Sequence, residues 1–125
     1  MTQEEEKNLL LKDLCARLPY GVKIQVPYED GSGYFDETVW EVNNEGPFHV
    51  NGWGIEYEYV KPYLFPLSSM TEEQKKEYQY ITERWMYDPA YSISDSIDWL
   101  NKHHFDYRGL IEKGLAIDAT GLNIY

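Results

Sequence analysis

The feature that most constrains this chain is a change of hydrophobic period at Pro19–Gly21. Before it, Leu10, Leu11, Leu14 and Leu18 recur at helical spacing; after it, Val22, Ile24 and Val26 alternate with Lys23 and Gln25. One regular element cannot serve both periods, so a helix must hand over to a sheet here. The spacing of Thr2 and Glu5 is that of a capping box and starts the helix at Gln3. Glu4, Glu5 and Glu6 fill its first turn, where the helix dipole favours negative charge. Pro19 and Gly21 stop it. Cys15, beside the apolar stripe, is expected to be a small buried hydrophobe.

The region to Val60 reads as short strands joined by turns. Asp30-Gly31-Ser32-Gly33 has hairpin chemistry, and a strand is expected over 37–42, then a turn over 43–47. A short strand over 48–50 leads into Asn51-Gly52, the strongest two-residue hairpin signal in the chain. The last strand is expected over 55–60, where Ile55, Tyr57 and Tyr59 alternate with Glu56 and Glu58. Four such strands imply an antiparallel meander, SH3-like or closed into a small barrel. Lys61-Pro62-Tyr63-Leu64-Phe65-Pro66 reads as an extended connector, because each proline pushes its predecessor out of the helical region.

Two helices follow. Thr71 and Gln74 repeat the capping box and open a helix through about Tyr87, with Tyr78, Ile81 and Trp85 inward and Asp88-Pro89 as its stop. Ser94 is expected to cap the next helix, with Ile97, Leu100 and His104 on one face. Asp106 can cap a short helical turn over 107–113, Gly114 supplies a left-handed stop, and Leu115 the contact after it. The tail from Ala119 is polar and expected to be loosely held. The fold class is thus α+β, a single domain over 1–125.

Charge narrows the function classes. The chain carries 22 acidic and 11 basic residues, net −11, which repels a phosphate backbone and argues against direct nucleic-acid binding. The first 60 residues hold 12 acids against 4 bases, the remainder 10 against 7, so the excess sits in the strand region. The 12 tyrosines exceed what packing asks for, and half-buried Tyr suits a contact surface. A single cysteine excludes an internal disulfide and a multi-cysteine zinc site. No basic stretch precedes an early apolar run and no run approaches ~20 residues, so a cytoplasmic protein without membrane contact is expected.

Candidate chemistry is sparse. His103-His104-Phe105-Asp106 is the best constellation, yet adjacent helical histidines point about 100° apart and cannot easily grip one ion. At a helix C-terminus they serve the dipole and the last carbonyls instead. The serines fall at helix starts, where capping accounts for them, and Gly31-Ser32-Gly33 lacks the lysine and helix of a phosphate cradle. No cofactor or metal is expected, and an enzyme is the minority reading.

Three stretches, LLLKDLCARLPYGVKIQV, VKPYLFPLSSMTEEQKKEY and IDWLNKHHFDYRGLIEKGLAID, resemble a family of small uncharacterised proteins common in gut Bacteroidetes and their phages and mobile elements. The family is usually basic where Phe65 stands here, as in an Arg before Pro66, so any role of that charge is absent from this chain. The resemblance implies a mobile-element setting and supplies neither a reaction nor a catalytic residue.

The leading expectation is a non-catalytic acidic interaction domain that meets a basic host protein. It would act as a phage or mobile-element accessory, with an inhibitor imitating nucleic-acid charge as one form. If the alternating faces coincide, Glu37, Glu41, Glu56 and Glu58 share a surface with Trp53 and Tyr57. The alternatives are an SH3-like peptide-binding module and a small metal protein or hydrolase using His103, His104 and Asp106. Oligomeric state is left open.

Overall fold

A computed structural model describes residues 1–43, 49–90 and 92–125, apart from the side chains of Trp53 and Trp85. It is a mixed α+β structure that opens with helix α1 (Gln3–Arg17). Thr2 caps it: its Oγ1 accepts the Glu5 N–H at 3.1 Å and its own N–H donates to the Glu5 carboxylate. The helix gives way to one 3-10 turn over Leu18–Tyr20, and Gly21 at φ +67° redirects the chain, a conformation that glycine adopts without strain. Leu10 and Leu14 are fully buried on its inner face. Cys15, expected to be buried, is exposed, one position round from that stripe.

Strands β1 (Lys23–Pro27) and β2 (Tyr34–Thr38) form the first hairpin. Its turn is closed by the Tyr28 N–H on the Gly33 carbonyl and the Ser32 N–H on the Asp30 carboxylate, both 2.9 Å. The second strand therefore lies earlier than expected, over 34–38, and ends because Asn51 intervenes. The Asn51 side chain is buried; its Oδ1 accepts the N–H groups of Trp40 and Glu41, and its Nδ2 donates to the Thr38 carbonyl. These bonds take the backbone groups that a continuing strand would need.

Strands β3 (Val42–Asn43), β4 (His49–Val50) and β5 (Trp53–Gly54) make a separate small antiparallel sheet. The Asn51-Gly52 turn joins its last two strands, with φ of 53° and 80°, as a type I′ turn requires. Asn43, expected to open a turn, ends β3; the rest of that turn, 44–47, and the start of the strand at 48 lie outside the described residues.

The strand expected over 55–60 is absent: Tyr57–Tyr59 form a 3-10 turn, with the Val60 N–H on the Tyr57 carbonyl. The expected connector is instead the central strand, β6 (Lys61–Pro66). It pairs antiparallel with β1 on one edge. It also pairs in parallel with β7 (Phe105–Asp106) through Phe65 and with β8 (Ile117–Asp118) through Leu64, neighbouring residues whose peptide groups face opposite edges. Pro62 fits because it faces Ile24, whose peptide groups turn toward Glu37 on β2, so β1 asks no hydrogen bond of the proline nitrogen. Among the described residues the strands thus occupy two sheets with some parallel pairing, where one antiparallel meander was expected.

Helix α2 (Glu72–Tyr87) begins at the expected Thr71 capping box and packs on α3 (Ile93–Lys102). The cap of α3 is Ser92, not Ser94: Asp95 at the third helical position accepts the Ser92 N–H. Two serines a residue apart both suit the role, and the one with the carboxylate three residues on prevails. Of the face expected to be buried, Leu100 and His104 are buried and Ile97 is not. Ile97 is 39% exposed, whereas Trp99 is 5% exposed and stacks on Phe105 at 5.7 Å, with Tyr78 beside it.

Asp106 accepts the N–H groups of Leu110 and Ile111 and so caps a turn, although not a helical one. Gly114 at φ +73° and the buried Leu115 finish it as expected. The tail, however, is docked. Ala119 is buried with its N–H on the Leu64 carbonyl, and the Tyr125 hydroxyl donates to the Tyr63 carbonyl while accepting the Lys23 N–H. Burial pushes that phenol up to about 12.

Candidate functional site

The β1–β2 hairpin presents one face inward. Ile24, Val26 and Tyr28 lie opposite Glu37, Phe35 and Gly33, because the alternation of the two strands brings these positions to one side. The lower part of that face is covered: Ile24, Val50 and Val60 are nearly inaccessible and belong to the main core with Leu10, Leu14 and Leu64. The upper part is not. Between the hairpin and the segment Val50–Val60 runs a groove of about 750 Å³. Its walls include Val26, Phe35 and Ile55, all half-buried, and the Tyr28 and Phe35 rings meet at 5.1 Å. Among the described residues Glu29, Asp30 and Glu37 are the charged ones along it, and no lysine or arginine lines it.

Of the described residues singled out from the sequence, Glu37 alone lies in this groove. Glu56, Tyr57 and Glu58 line a neighbouring depression against the first turn of α1, with Gly54 and Ile55 shared between the two hollows. Their grouping does not come from strand alternation, since the 3-10 turn replaces that strand. Tyr57 is partly structural, packing on the core while its hydroxyl donates to the Glu6 carboxylate at 3.0 Å. Glu41 lies in neither hollow; its peptide groups bond Asn51, and its side chain is exposed where the chain has left the β2 plane. The Trp53 side chain lies outside the described residues. Tyr28, Glu29, Asp30 and Phe35 were missed. The signal was present, in a hairpin turn with carboxylates flanked by aromatic rings, but it reads equally as ordinary turn chemistry.

The histidines are held apart from one another's chemistry. His103 ends α3 with its ring on Trp99 at 4.4 Å, and burial lowers its pKa. His104 sits at φ +62°, is buried, and stacks face to face on Tyr125 at 3.7 Å. Asp106 is engaged with backbone N–H groups. Among the described residues no three His, Cys, Asp or Glu side chains are grouped so as to hold a metal. Nor is any described helix long and apolar enough to cross a membrane.

His104 carries a pH prediction. Burial, then the Arg17 charge, lowers its pKa to about 4 from the ordinary 6.5. The unfolded chain therefore binds more protons between these values, so His104 contributes stability fully above pH 6.5 and loses it as pH falls toward 4. The expected loss is roughly 2–3 kcal/mol across that window. His104→Asn, which tolerates the left-handed backbone, should flatten the urea-midpoint profile there; an unchanged slope would refute the assignment.

No protein-family model, curated protein or solved structure matches this chain.

Proposed function

We propose that this protein is a non-catalytic interaction domain that docks on a basic protein partner through the groove between the β1–β2 hairpin and Val50–Val60. The observation that carries this reading is the combination of an apolar floor with carboxylates and no cation among the described lining residues. Apolar and aromatic walls supply contact energy, while the carboxylates speed encounter and reject acidic partners. Glu4, Glu56 and Glu58 extend the same charge into the adjoining hollow, against one cation there, Lys7. The net charge of −11 strengthens the steering and suits a mobile-element accessory that occupies a host protein's nucleic-acid surface. A peptide-binding module is the second reading. The Tyr28–Phe35 ring pair favours it, since paired rings grip an extended segment, and it differs only in taking a short stretch of the partner.

The test is capture from host lysate at low and high salt, repeated with Glu29→Gln/Glu37→Gln. A specific partner should be held at low salt and released by salt, and the double variant should associate about 3- to 30-fold more slowly with little change in dissociation. A partner whose affinity is the same at both salt concentrations would show the electrostatic reading to be wrong.

A further inference from the structure

Strand β2 is an edge of the five-stranded sheet, with β1 on one side and no strand among the described residues on the other. Which of its peptide groups are open follows from the register. The pairings Ile24 to Glu37 and Val26 to Phe35 are flanked by the Val39 N–H on the Val22 carbonyl and the Tyr28 N–H on the Gly33 carbonyl. These fall in one phase, so residues 33, 35, 37 and 39 spend their backbone bonds on β1. The peptide groups of Tyr34, Asp36 and Thr38 turn the other way. The Thr38 carbonyl is taken by Asn51, which leaves Tyr34 and Asp36 with donors and acceptors facing outward beside the groove.

Natural edges are usually blunted by charge, lysine above all, by proline or by a bulge; Tyr34-Phe35-Asp36-Glu37-Thr38 has no lysine or proline, and Asp36 and Glu37 are its only charges. Its charges have one sign. A second copy of β2 laid antiparallel across Asp36 would oppose carboxylate to carboxylate, which is unfavourable. An extended segment bearing cations meets no such penalty. The side chains alternate accordingly: Asp36 on the outer face, where its Oδ1 accepts the Tyr63 hydroxyl, and Phe35 and Glu37 toward the groove.

We propose that β2 is a strand-addition edge, which pairs through the open peptide groups of Tyr34 and Asp36 with an extended, lysine- or arginine-bearing segment of the partner protein. This rests on the groove reading above and adds to it the mode of binding. Residues of the segment whose peptide groups face β2 carry the cations, over Asp36. The residues between them place apolar side chains over Phe35 and the groove.

The probe is a capped hexapeptide of alternating lysine and valine, titrated into the full chain at low salt. Saturation should slow amide exchange at Tyr34 and Asp36 and leave Phe35 and Glu37, already bonded to β1, unchanged. Methylating the lysine backbone nitrogens should weaken binding about tenfold for each blocked amide, whereas methylating the valine nitrogens should be nearly silent. If both methylated peptides bind like the parent and Glu37→Gln still weakens all three, the groove reading stands and strand addition is overturned. If the parent peptide does not bind, or binds without salt dependence, both readings fall.

Discussion

Replacing Asp13 with alanine is expected to remove about 3–5 kcal/mol of stability, the largest loss anticipated for any surface-distant charge in this protein. Asp13 and Arg17 are both fully buried on α1, joined by Arg17 Nε on Asp13 Oδ2 at 2.9 Å. Arg17 Nη2 reaches the Phe105 carbonyl at 2.6 Å, and Arg108 Nη1 takes the other Asp13 oxygen at 2.8 Å. The Tyr107 ring lies against both guanidinium groups, 4.5 Å from Arg108 and 5.4 Å from Arg17. Without the carboxylate, a guanidinium stays in the core with no opposite charge beside it, and Arg17 Nη1 already lacks a hydrogen-bond partner. The check is urea denaturation. Asp13→Leu combined with Arg17→Met should recover much of the loss, because the fully buried cation goes with its partner and the Arg108 left behind is partly exposed to water. A single variant as stable as the wild type would mean that the pair is not desolvated as described.

Leu64→Ala is expected to cost about 2–5 kcal/mol, as large-to-small changes at fully buried sites do. Leu64 is inaccessible at the middle of β6, in the same cluster as Leu10, Leu14 and Leu110. Its carbonyl also accepts the Ala119 N–H that fastens the tail. Were residues 61–66 a connector, the same change would cost within about 0.5 kcal/mol. The two accounts differ several-fold, so one denaturation midpoint decides between them.

That contrast shows where sequence reasoning succeeds in this chain. The capping boxes at Thr2 and Thr71, the Asn51-Gly52 turn and the left-handed Gly114 were all legible, because each is settled by residues three or fewer apart. β6 was not, since its two prolines count against a central strand. They are tolerated only because of which neighbours face them, a long-range fact. The Tyr/Glu alternation over 55–60 misled for the opposite reason. Half-exposed tyrosines make a period of two without any strand, and the 3-10 turn satisfies the same pattern. At the site, Glu37 was legible as a strand carboxylate turned to one face. The groove was not, because its second wall comes from residues far along the chain and its depth depends on where the core stops covering the hairpin. His104 was placed near a helix end correctly, but its contact with Tyr125 depended on a tail that polar composition describes poorly.

The position of β6 also governs how the chain can reach this structure. Its parallel partners stand about 40 and 54 residues further along, at Phe105 and Ile117. The hairpin and the helices can form from local contacts, but β6 cannot complete its pairing until those distant segments arrive. Loop closure over such lengths comes before its reward, so this step is expected to be the slow one in assembly. During synthesis, a ribosome that has released only the first two thirds of the protein holds out β6 without its parallel partners. Until residues 105–118 emerge, its unpaired peptide groups are open to misplaced pairing or to a chaperone.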